Sequence, residues 1–309
     1  MNYIELSQAI QNYAENTESL FVQNIPTFVM EAEERIYNTV QLPALRKNVT
    51  GTMTTGNKYV SLPDDWLSAY SLAVIDGTTG AYTYLLNKDV NYMREAYPIP
   101  TQTGMPKYYA IFGPQFANTN ELSLIVAPTP NANYNVELHY FFYPVSIVQG
   151  VVTQLTNISG GIAYNNGVYF NVPLTGGSGP NGATALATVE ITNGSVTDVT
   201  LETGGSMYVA GDVLSAANTD IGGTGSGFTV EVAAVNNPTG TSWLGDNYDP
   251  VLFYGAMREA MLFMKGEADL VGYYEQKYQE AMSQLNRLGT GLERGDAYRD
   301  GQAKIKVNP

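Results

Sequence analysis

The sequence contains no cysteine among its 309 residues, which excludes disulfide bonds, thiol nucleophiles and thiolate metal sites. It contains one histidine, so a metal site built from several histidines is excluded as well. No uninterrupted apolar run is long enough for a transmembrane helix. The first residues, Met1 to Glu5, lack the basic and then apolar pattern of a signal peptide. These absences predict a chain that is made and assembled in the cytoplasm.

Charge of either sign is scarce, and positive charge is the scarcer. Charged residues make up 14% of the chain, whereas about 25% is usual. Lys and Arg total 15 against 29 Asp and Glu, giving a formal net charge of -14. Neither Lys nor Arg occurs from Tyr108 to Met257. This balance argues against a protein whose main role is to bind nucleic acid phosphates.

The N-terminal stretch has the apolar periodicity of two helices. Leu6, Ala9, Ile10 and Tyr13 predict the first, and a similar stripe from Ile25 to Ile36 predicts the second. Pro26 suits the first turn of that second helix, and Pro43 predicts its end. Three glutamates of its body are interpreted as a solvated face; they are Glu31, Glu33 and Glu34.

From about residue 50 the period changes to that of strands. Short β-prone runs are separated by Gly, Pro and Asn, as in an all-β unit. The predicted strands cover 58–62, 69–75, 82–86, 107–112, 121–127 and 134–143. The segment from Asp89 to Tyr97 predicts a short helix between them.

A Gly- and Thr-rich block follows, from about 150 to 240, and holds 17 of the 31 glycines. Strands are predicted at 188–191, 196–201 and 228–235, with Asn193-Gly194 as a hairpin turn. The change in composition predicts a separate, inserted all-β domain with linkers at its two ends.

The last third is predicted to be helical again. Asp249 and Pro250 suit a helix start, as N-cap and first-turn residues. A second helix is predicted from Asp269 and ends at Gly289. From Leu292 onward the sequence is polar and its charges alternate in sign. Such an arm is expected to be ordered only against a partner.

Together these segments predict an α+β fold. The core comprises 1–149 and 241–309: a layer of N- and C-terminal helices plus a small β domain, with an extended C-terminal arm from about 289. Residues 150–240 form the inserted all-β domain.

No catalytic, cofactor-binding or metal-binding constellation is found, so the chain is not expected to be an enzyme. His139 is assigned a structural role on a strand beside aromatic residues, and Asp64-Asp65 a turn or helix cap. The runs Gly176–Gly179 and Gly222–Gly225 lack the Lys-Ser/Thr of a phosphate-binding loop. Gly211-Asp212 and Asp220 fit no known calcium loop and are interpreted as turns.

Aromatic residues are the chain's main contact material, with 23 Tyr, 10 Phe and 2 Trp. Aromatic side chains are enriched at protein interfaces, and they also fill strand cores. The helical face with Tyr273, Tyr274 and Tyr278 is the better interface candidate.

Several segments flanking the Gly-rich block resemble the head-to-tail adaptor (connector) proteins of tailed bacteriophages. The similarity includes the tail tubular protein A group of short-tailed phages (podoviruses). The matching segments, in order, are 62–66 (LPDDW), 104–113 (GMPKYYAIFG), 127–130 (APTP), 140–144 (YFFYP), 243–247 (WLGDN), 252–256 (LFYGA) and 263–267 (FMKGE). They span roughly 1–147 and 243–309, and the intervening block departs from the simpler members.

The resemblance implies a virion structural protein at the head–tail junction. It implies a ring of about twelve neighbouring copies, bound to the portal on one face and to a tail nozzle or tail tube protein on the other. DNA would pass through the channel without specific binding. The portal and neighbour interface is then expected at residues of the last helix and arm: Tyr273, Tyr274, Tyr278, Leu292, Arg294, Tyr298, Arg299, Lys304 and Lys306.

Two other functions stay open at this point. A receptor- or glycan-binding tail component would use the β domain as its binding module. A glycan-cleaving enzyme would need a pair of carboxylates facing a cleft, and no such pair is evident in the sequence.

Overall fold

The chain is described from a computed structural model that covers residues 1–99, 101–114, 122–179 and 182–300, with side chains to residue 289. It divides into two compact units, described separately below. Unit 1 comprises Met1–Val40 and Val145–Pro309, and unit 2 comprises Gln41–Pro144.

The predicted α+β class is confirmed. The helices are α1 (Tyr3–Ala14), α2 (Ser19–Thr39), α3 (Val90–Ala96), α4 (Trp243–Asn247), α5 (Asp249–Phe263) and α6 (Ala268–Asp300). The strands of unit 2 are β1 (Arg46–Met53), β2 (Tyr59–Ser61), β3 (Trp66–Ile75), β4 (Tyr82–Tyr84), β5 (Leu86–Asn87), β6 (Thr103–Gly104), β7 (Tyr108–Pro114), β8 (Leu122–Ala127), β9 (Thr129–Pro130) and β10 (Tyr134–Phe142). The strands of unit 1 are β11 (Val151–Ile162), β12 (Gly167–Gly176), β13 (Ala185–Thr192), β14 (Ser195–Thr203), β15 (Val213–Ala216) and β16 (Ser226–Asn236).

Unit 2 is built on two four-stranded sheets, ordered β1-β10-β3-β4 and β2-β8-β7-β5. Leu72 and Val74 of the first sheet and Leu124 and Val126 of the second belong to one buried cluster. Strand β8 is buried on both faces: Leu124 and Val126 belong to this cluster, whereas Ile125 and Ala127 belong to a second one. Helix α3 covers a smaller cluster, which includes Met93 and Ile125.

The Gly-rich block forms one six-stranded sheet, ordered β11-β16-β15-β12-β13-β14, around its own hydrophobic core. Asn193 and Gly194 turn between β13 and β14 with φ of 55° and 76°, the left-handed geometry of a type I′ hairpin. Thr192 pairs with Ser195 across this turn, so the predicted hairpin is confirmed. The sheet curls so that its two edge strands approach each other. Val152 N of β11 donates to Gly204 O, which directly follows β14, at 3.0 Å.

The helical part of unit 1 begins with a capping box. Asn2 Oδ1 accepts from Glu5 N at 2.9 Å, and Glu5 Oε2 accepts from Asn2 N at 3.0 Å. Both interactions satisfy backbone donors at the start of α1. The apolar faces of α1 and α2 pack on α5, which also packs on α6.

The predicted position of Pro26 is wrong. Helix α2 begins at Ser19 and contains Pro26 in its interior. An interior proline removes one helical hydrogen bond and costs roughly 3 kcal/mol. Phe21 and Ile25, which precede Pro26 in the helix, are fully buried. Burial of each side chain stabilises the fold by roughly 2 kcal/mol. This burial accounts for the extra turns of helix.

The predicted helix end at Gly289 is also wrong. Helix α6 continues through Gly289 to Asp300, so the part from 289 is helical rather than extended. A glycine in a helix interior costs about 1 kcal/mol relative to alanine, which weakens a helix without ending it. Asp249, likewise, is the first residue of α5, and Tyr248 occupies the N-cap position.

The strand pattern differs from the predicted one in two respects. The run 82–86 divides into β4 and β5, which belong to different sheets. Six strands were not predicted: β1, β6, β9, β11, β12 and β15. Burial along β1 and β11 shows little alternation, so their sequences lack the period-2 signal that marks a half-buried strand.

Candidate interaction surfaces

The three predicted tyrosines of α6 do not share one exposed face. Tyr273 is 51% exposed, whereas Tyr274 is 8% and Tyr278 is 2% exposed. Tyr274, Tyr278, Ala281 and Leu285 follow a spacing of four, three and four, and all are buried, as one face of a packed helix requires. Of the three, Tyr273 offers contact area to a partner.

The other predicted interface residues lie farther along the chain. Leu292, Arg294, Tyr298 and Arg299 belong to the last part of α6, and their side chains are outside the described part. Lys304 and Lys306 lie outside the described residues altogether. The predicted role of these residues stays a prediction.

The Tyr273 ring lies 5.4 Å from that of Tyr274, and other aromatic residues near Tyr274 come from α1 and α5. Tyr13 of α1 is 65% exposed, and its ring lies 5.1 Å from that of Phe253. The pKa of the Tyr274 phenol is raised first by burial and then by the nearby phenols of Tyr273, Tyr13 and Tyr254. These rings therefore converge where α1, α5 and α6 meet. We call Tyr13, Phe253, Tyr254 and Tyr273 the helical aromatic surface.

A network of ion pairs fixes α6 to the helices beneath it. Glu259 Oε1 of α5 lies 2.8 Å from the Arg35 guanidinium of α2 and 2.6 Å from that of Arg258. Arg258 also pairs with Glu275 of α6. Glu259 is 9% exposed, and a charge this buried is stable only when it is paired. The network holds the first part of α6 in a fixed direction.

The two ends of the Gly-rich block lie side by side. Gly150 N donates to Asn236 O at 3.1 Å, and Gln149 Nε2 donates to Pro238 O at 2.9 Å. Asn237 Nδ2 bridges to Ser146 O at 2.8 Å. Adjacent chain ends are what an inserted domain needs.

The interpretation of Glu33 as part of a solvated face is wrong. Glu33 is 3% exposed, and its carboxylate lies under the chain that leads into the Gly-rich block. Ser146 Oγ donates to Glu33 Oε2 at 2.5 Å, and Ile147 N donates to Oε1 at 2.9 Å. Burial raises the pKa of Glu33 to about 7, although the two hydrogen bonds lower it. Helical periodicity places Glu33 next to the buried stripe of Val29, Ala32 and Ile36. This position was the sequence signal that could have predicted its burial.

The predicted turn at Asp64-Asp65 is confirmed, since Trp66 N donates to Pro63 O at 3.0 Å across it. Asp65 has a further role, which was missed: its carboxylate accepts from Lys47 Nζ at 2.5 Å and from Tyr140 Oη at 2.8 Å. Desolvation raises the pKa of Asp65, but these hydrogen bonds outweigh it and leave the pKa below its usual value. The side chain ties a turn to two strands, which is a structural role.

His139 lies on β10 as predicted, with its ring 5.0 Å from that of Tyr70. Asp212 accepts hydrogen bonds from Ser178 N and Val209 N, both at 2.9 Å, which makes it a loop residue. Within the described ranges, no group of three or more His, Asp or Glu side chains could hold a metal ion. The helices described here include none that is long and apolar enough to cross a membrane.

A comparison with protein families places these elements in a known group. Residues 1–163 match the model of the SU10 adaptor protein family, and this segment is more than half of the 309 residues. The chain belongs to the SU10 adaptor protein family. No curated protein resembles it closely enough to count as a relative.

Membership of the SU10 adaptor family makes the chain a bacteriophage adaptor, a structural component of the virion. The matched segment covers α1, α2, all of unit 2 and β11. It ends inside the Gly-rich sheet and before α4, α5 and α6. The likeness to the tail tubular protein A group and the status of 150–240 as an inserted domain stay predictions.

Proposed function

We propose that this adaptor joins the portal to the tail. In this proposal about twelve copies form a ring that is assembled in the host cytoplasm, becomes part of the head–tail junction and continues the DNA channel. A tail nozzle or tail tube protein binds the opposite face of the ring, and the chain catalyses no reaction.

The length of α6 is the observation that carries the proposal. Its 33 residues extend about 50 Å at 1.5 Å per residue, whereas the 15 residues of α5 extend only about 23 Å. Helix α5 is therefore too short to run along the whole of α6. The last part of α6, from Thr290 onward, is the segment that we propose binds the portal.

The net charge of the chain supports the proposed role as the wall of a DNA channel. A net charge of -14 repels DNA phosphates, so that a genome can pass without being held by the wall. The absence of Lys and Arg from 109 to 256 leaves a long segment with no cation to bind phosphate.

The experiment removes the last part of α6, from Thr290 onward. A chain that ends at Gly289 should keep its helical circular dichroism and melting temperature, and should lose co-sedimentation with the phage's own portal protein. Phe170→Ala, a change on the Gly-rich sheet, serves as the matched control and should bind the portal like the unmodified chain. Full portal binding by the shortened chain would contradict the proposal.

A receptor- or glycan-binding role for the Gly-rich block is the second candidate. It is favoured by Phe170, which is 69% exposed beside Asn171, whose backbone is left-handed with φ of 52°. An exposed aromatic ring next to polar groups suits a sugar face. The same Phe170→Ala chain, tested for retention on host glycans, decides whether this role exists.

A further inference from the structure

Unit 2 carries a surface in which cations lie over aromatic rings. Lys58 Nζ is 5.4 Å from the centre of the Tyr59 ring, and Arg94 Cζ is 5.8 Å from that of Phe112. The Tyr59 and Phe112 rings are themselves 5.2 Å apart. Lys88 Nζ lies 5.3 Å from the ring of Tyr92. We call these six residues and Tyr108, 5.6 Å from Tyr92, the cation–aromatic surface.

A small cavity of about 100 Å³ opens at this surface between α3 and β8. Lys58 and Arg94 line it together with Tyr97 and Ile99. Ile99 is 59% exposed and Tyr92 is 42% exposed. Apolar area, aromatic rings and positive charge therefore meet at one place. Aromatic residues and Arg are enriched at protein interfaces, and a cation over an aromatic ring is attracted by the ring's electron density.

The cations of this surface have no acidic partner within the part of the chain that the structure describes. Lys47, by contrast, pairs with Asp65, and Arg258 pairs with Glu259 and Glu275. The positive charge at Lys58, Lys88 and Arg94 is thus available to an acidic partner.

Charge is divided unevenly between the two units. Unit 2 has six Lys and Arg against seven Asp and Glu, a net charge of -1. Unit 1 has nine against twenty-two, a net charge of -13. A second copy of this chain therefore offers a strongly acidic unit to the nearly neutral unit 2 of its neighbour.

Two acidic side chains of unit 1 lie close enough on neighbouring strands to repel each other. Glu190 of β13 lies directly opposite Asp198 of β14 in the strand register, and both side chains are exposed. Like charges at directly opposed positions destabilise a strand pair. The Gly-rich block has no Lys or Arg to offset them, so a cationic partner from outside the block would be favoured at this position.

We propose that the cation–aromatic surface of one copy binds the acidic face at Glu190 and Asp198 of the next copy. The contact is heterologous, with different patches on the two partners, which is the kind of contact that closes a ring. This inference rests on the proposed function, because it names the surfaces that meet between neighbouring copies in the ring.

Charge reversal and its rescue provide the test. Lys58→Glu with Arg94→Glu should reduce the number of complete rings on portal particles, counted by electron microscopy, by roughly tenfold. Glu190→Lys with Asp198→Lys should do the same. A chain that carries all four changes should recover ring formation, because the charges are again opposite. Lys107→Glu, an exposed lysine of the same unit, is the charge-matched control and should leave the rings unchanged.

The outcomes separate this inference from the proposed function. Unmodified chains that form no rings on the portal would contradict the proposed function. Normal rings from the Lys58→Glu, Arg94→Glu chain would overturn the inference alone, and so would a loss that the four-fold change fails to rescue. The cysteine-free sequence adds a second readout: Arg94→Cys and Glu190→Cys chains, mixed in one ring, should cross-link to each other through a short bismaleimide. Binding of a single-stranded oligonucleotide at Lys58 and Arg94, with rings unaffected by the charge changes, would assign the surface to nucleic acid and overturn the inference.

Discussion

At the scale of single residues, the buried Glu33 carboxyl makes stability depend on pH. Its folded-state pKa of about 7 lies above the ordinary value of 4.5, so folding favours the protonated form. The stability that this group contributes is complete below about pH 4.5 and is lost as the pH rises through about 7. The Ser146 and Ile147 contacts at the entry to the Gly-rich block then hold a charged group.

Glu33→Gln keeps the shape and cannot ionise; its Oε1 can accept from Ile147 N, and its Nε2 would donate to Ser146 Oγ. At pH 8 the variant should be more stable than the unmodified chain by roughly 2–3 kcal/mol, and below pH 4.5 the difference should vanish. Denaturant unfolding across this pH range measures it. Glu34→Gln, an exposed neighbour on the same helix, is the control and should show little pH-dependent difference. Equal stability changes for both variants at every pH would contradict the assignment.

Residue roles were predictable from sequence where the local pattern determines them. The turn at Asp64-Asp65 and the hairpin at Asn193-Gly194 follow from short-range backbone preferences. Burial of Glu33 depends on Ser146 and Ile147, which are more than a hundred residues away in the sequence. No local pattern contains that information.

At the scale of elements, the main question is whether the Gly-rich sheet is an inserted domain. We propose that 150–240 is an inserted domain, since its ends are joined by the hydrogen bond between Gly150 N and Asn236 O and its strands surround a separate core. Its contacts nevertheless place it in one compact unit with the helices. One such contact is the hydrogen bond that Tyr3 N of α1 donates to Gly240 O at 2.8 Å.

Deletion of residues 151–240 tests this proposal. The remaining chain should keep its helical circular dichroism and one cooperative unfolding transition. Loss of the Tyr3 contact should lower its stability by about 1 kcal/mol. Deletion of 151–176 alone, which removes β11 and β12 and leaves an incomplete sheet, is the control and should disrupt the Gly-rich block. An unfolded remainder after the full deletion would mean that the block belongs to the core.

The elements that were best predicted are those whose sequences show a regular pattern of apolar and polar residues or a clear cap. Strand β10 alternates between buried and less buried residues and was predicted nearly to its ends, and α3 follows its Asp89 cap. The predicted start of α2 was wrong because the preference of proline for a first turn is weaker than the tertiary packing of Phe21. The predicted end of α6 was wrong because one interior glycine costs only about 1 kcal/mol and does not end a helix. The pairing of strands into particular sheets depends on long-range contacts, as the separation of β4 from β5 shows.

At the scale of the whole molecule, exposed aromatic and charged side chains give the described residues surfaces that could bind a partner. The helical aromatic surface of unit 1 and the cation–aromatic surface of unit 2 lie on described residues, and the last part of α6 is the third contact region that we propose. The proposed ring adaptor would contact a neighbouring copy, the portal and the tail. A phage adaptor was recognisable from short segments in the right order, whereas the surfaces became visible only when distant residues were placed together.

Electron microscopy of virions, with this chain located in the density, tests the central claim most directly. The account predicts a closed ring of the chain at the vertex through which DNA leaves, in contact with the portal through the last part of α6. Isolated copies of the chain, located away from that vertex, would contradict it.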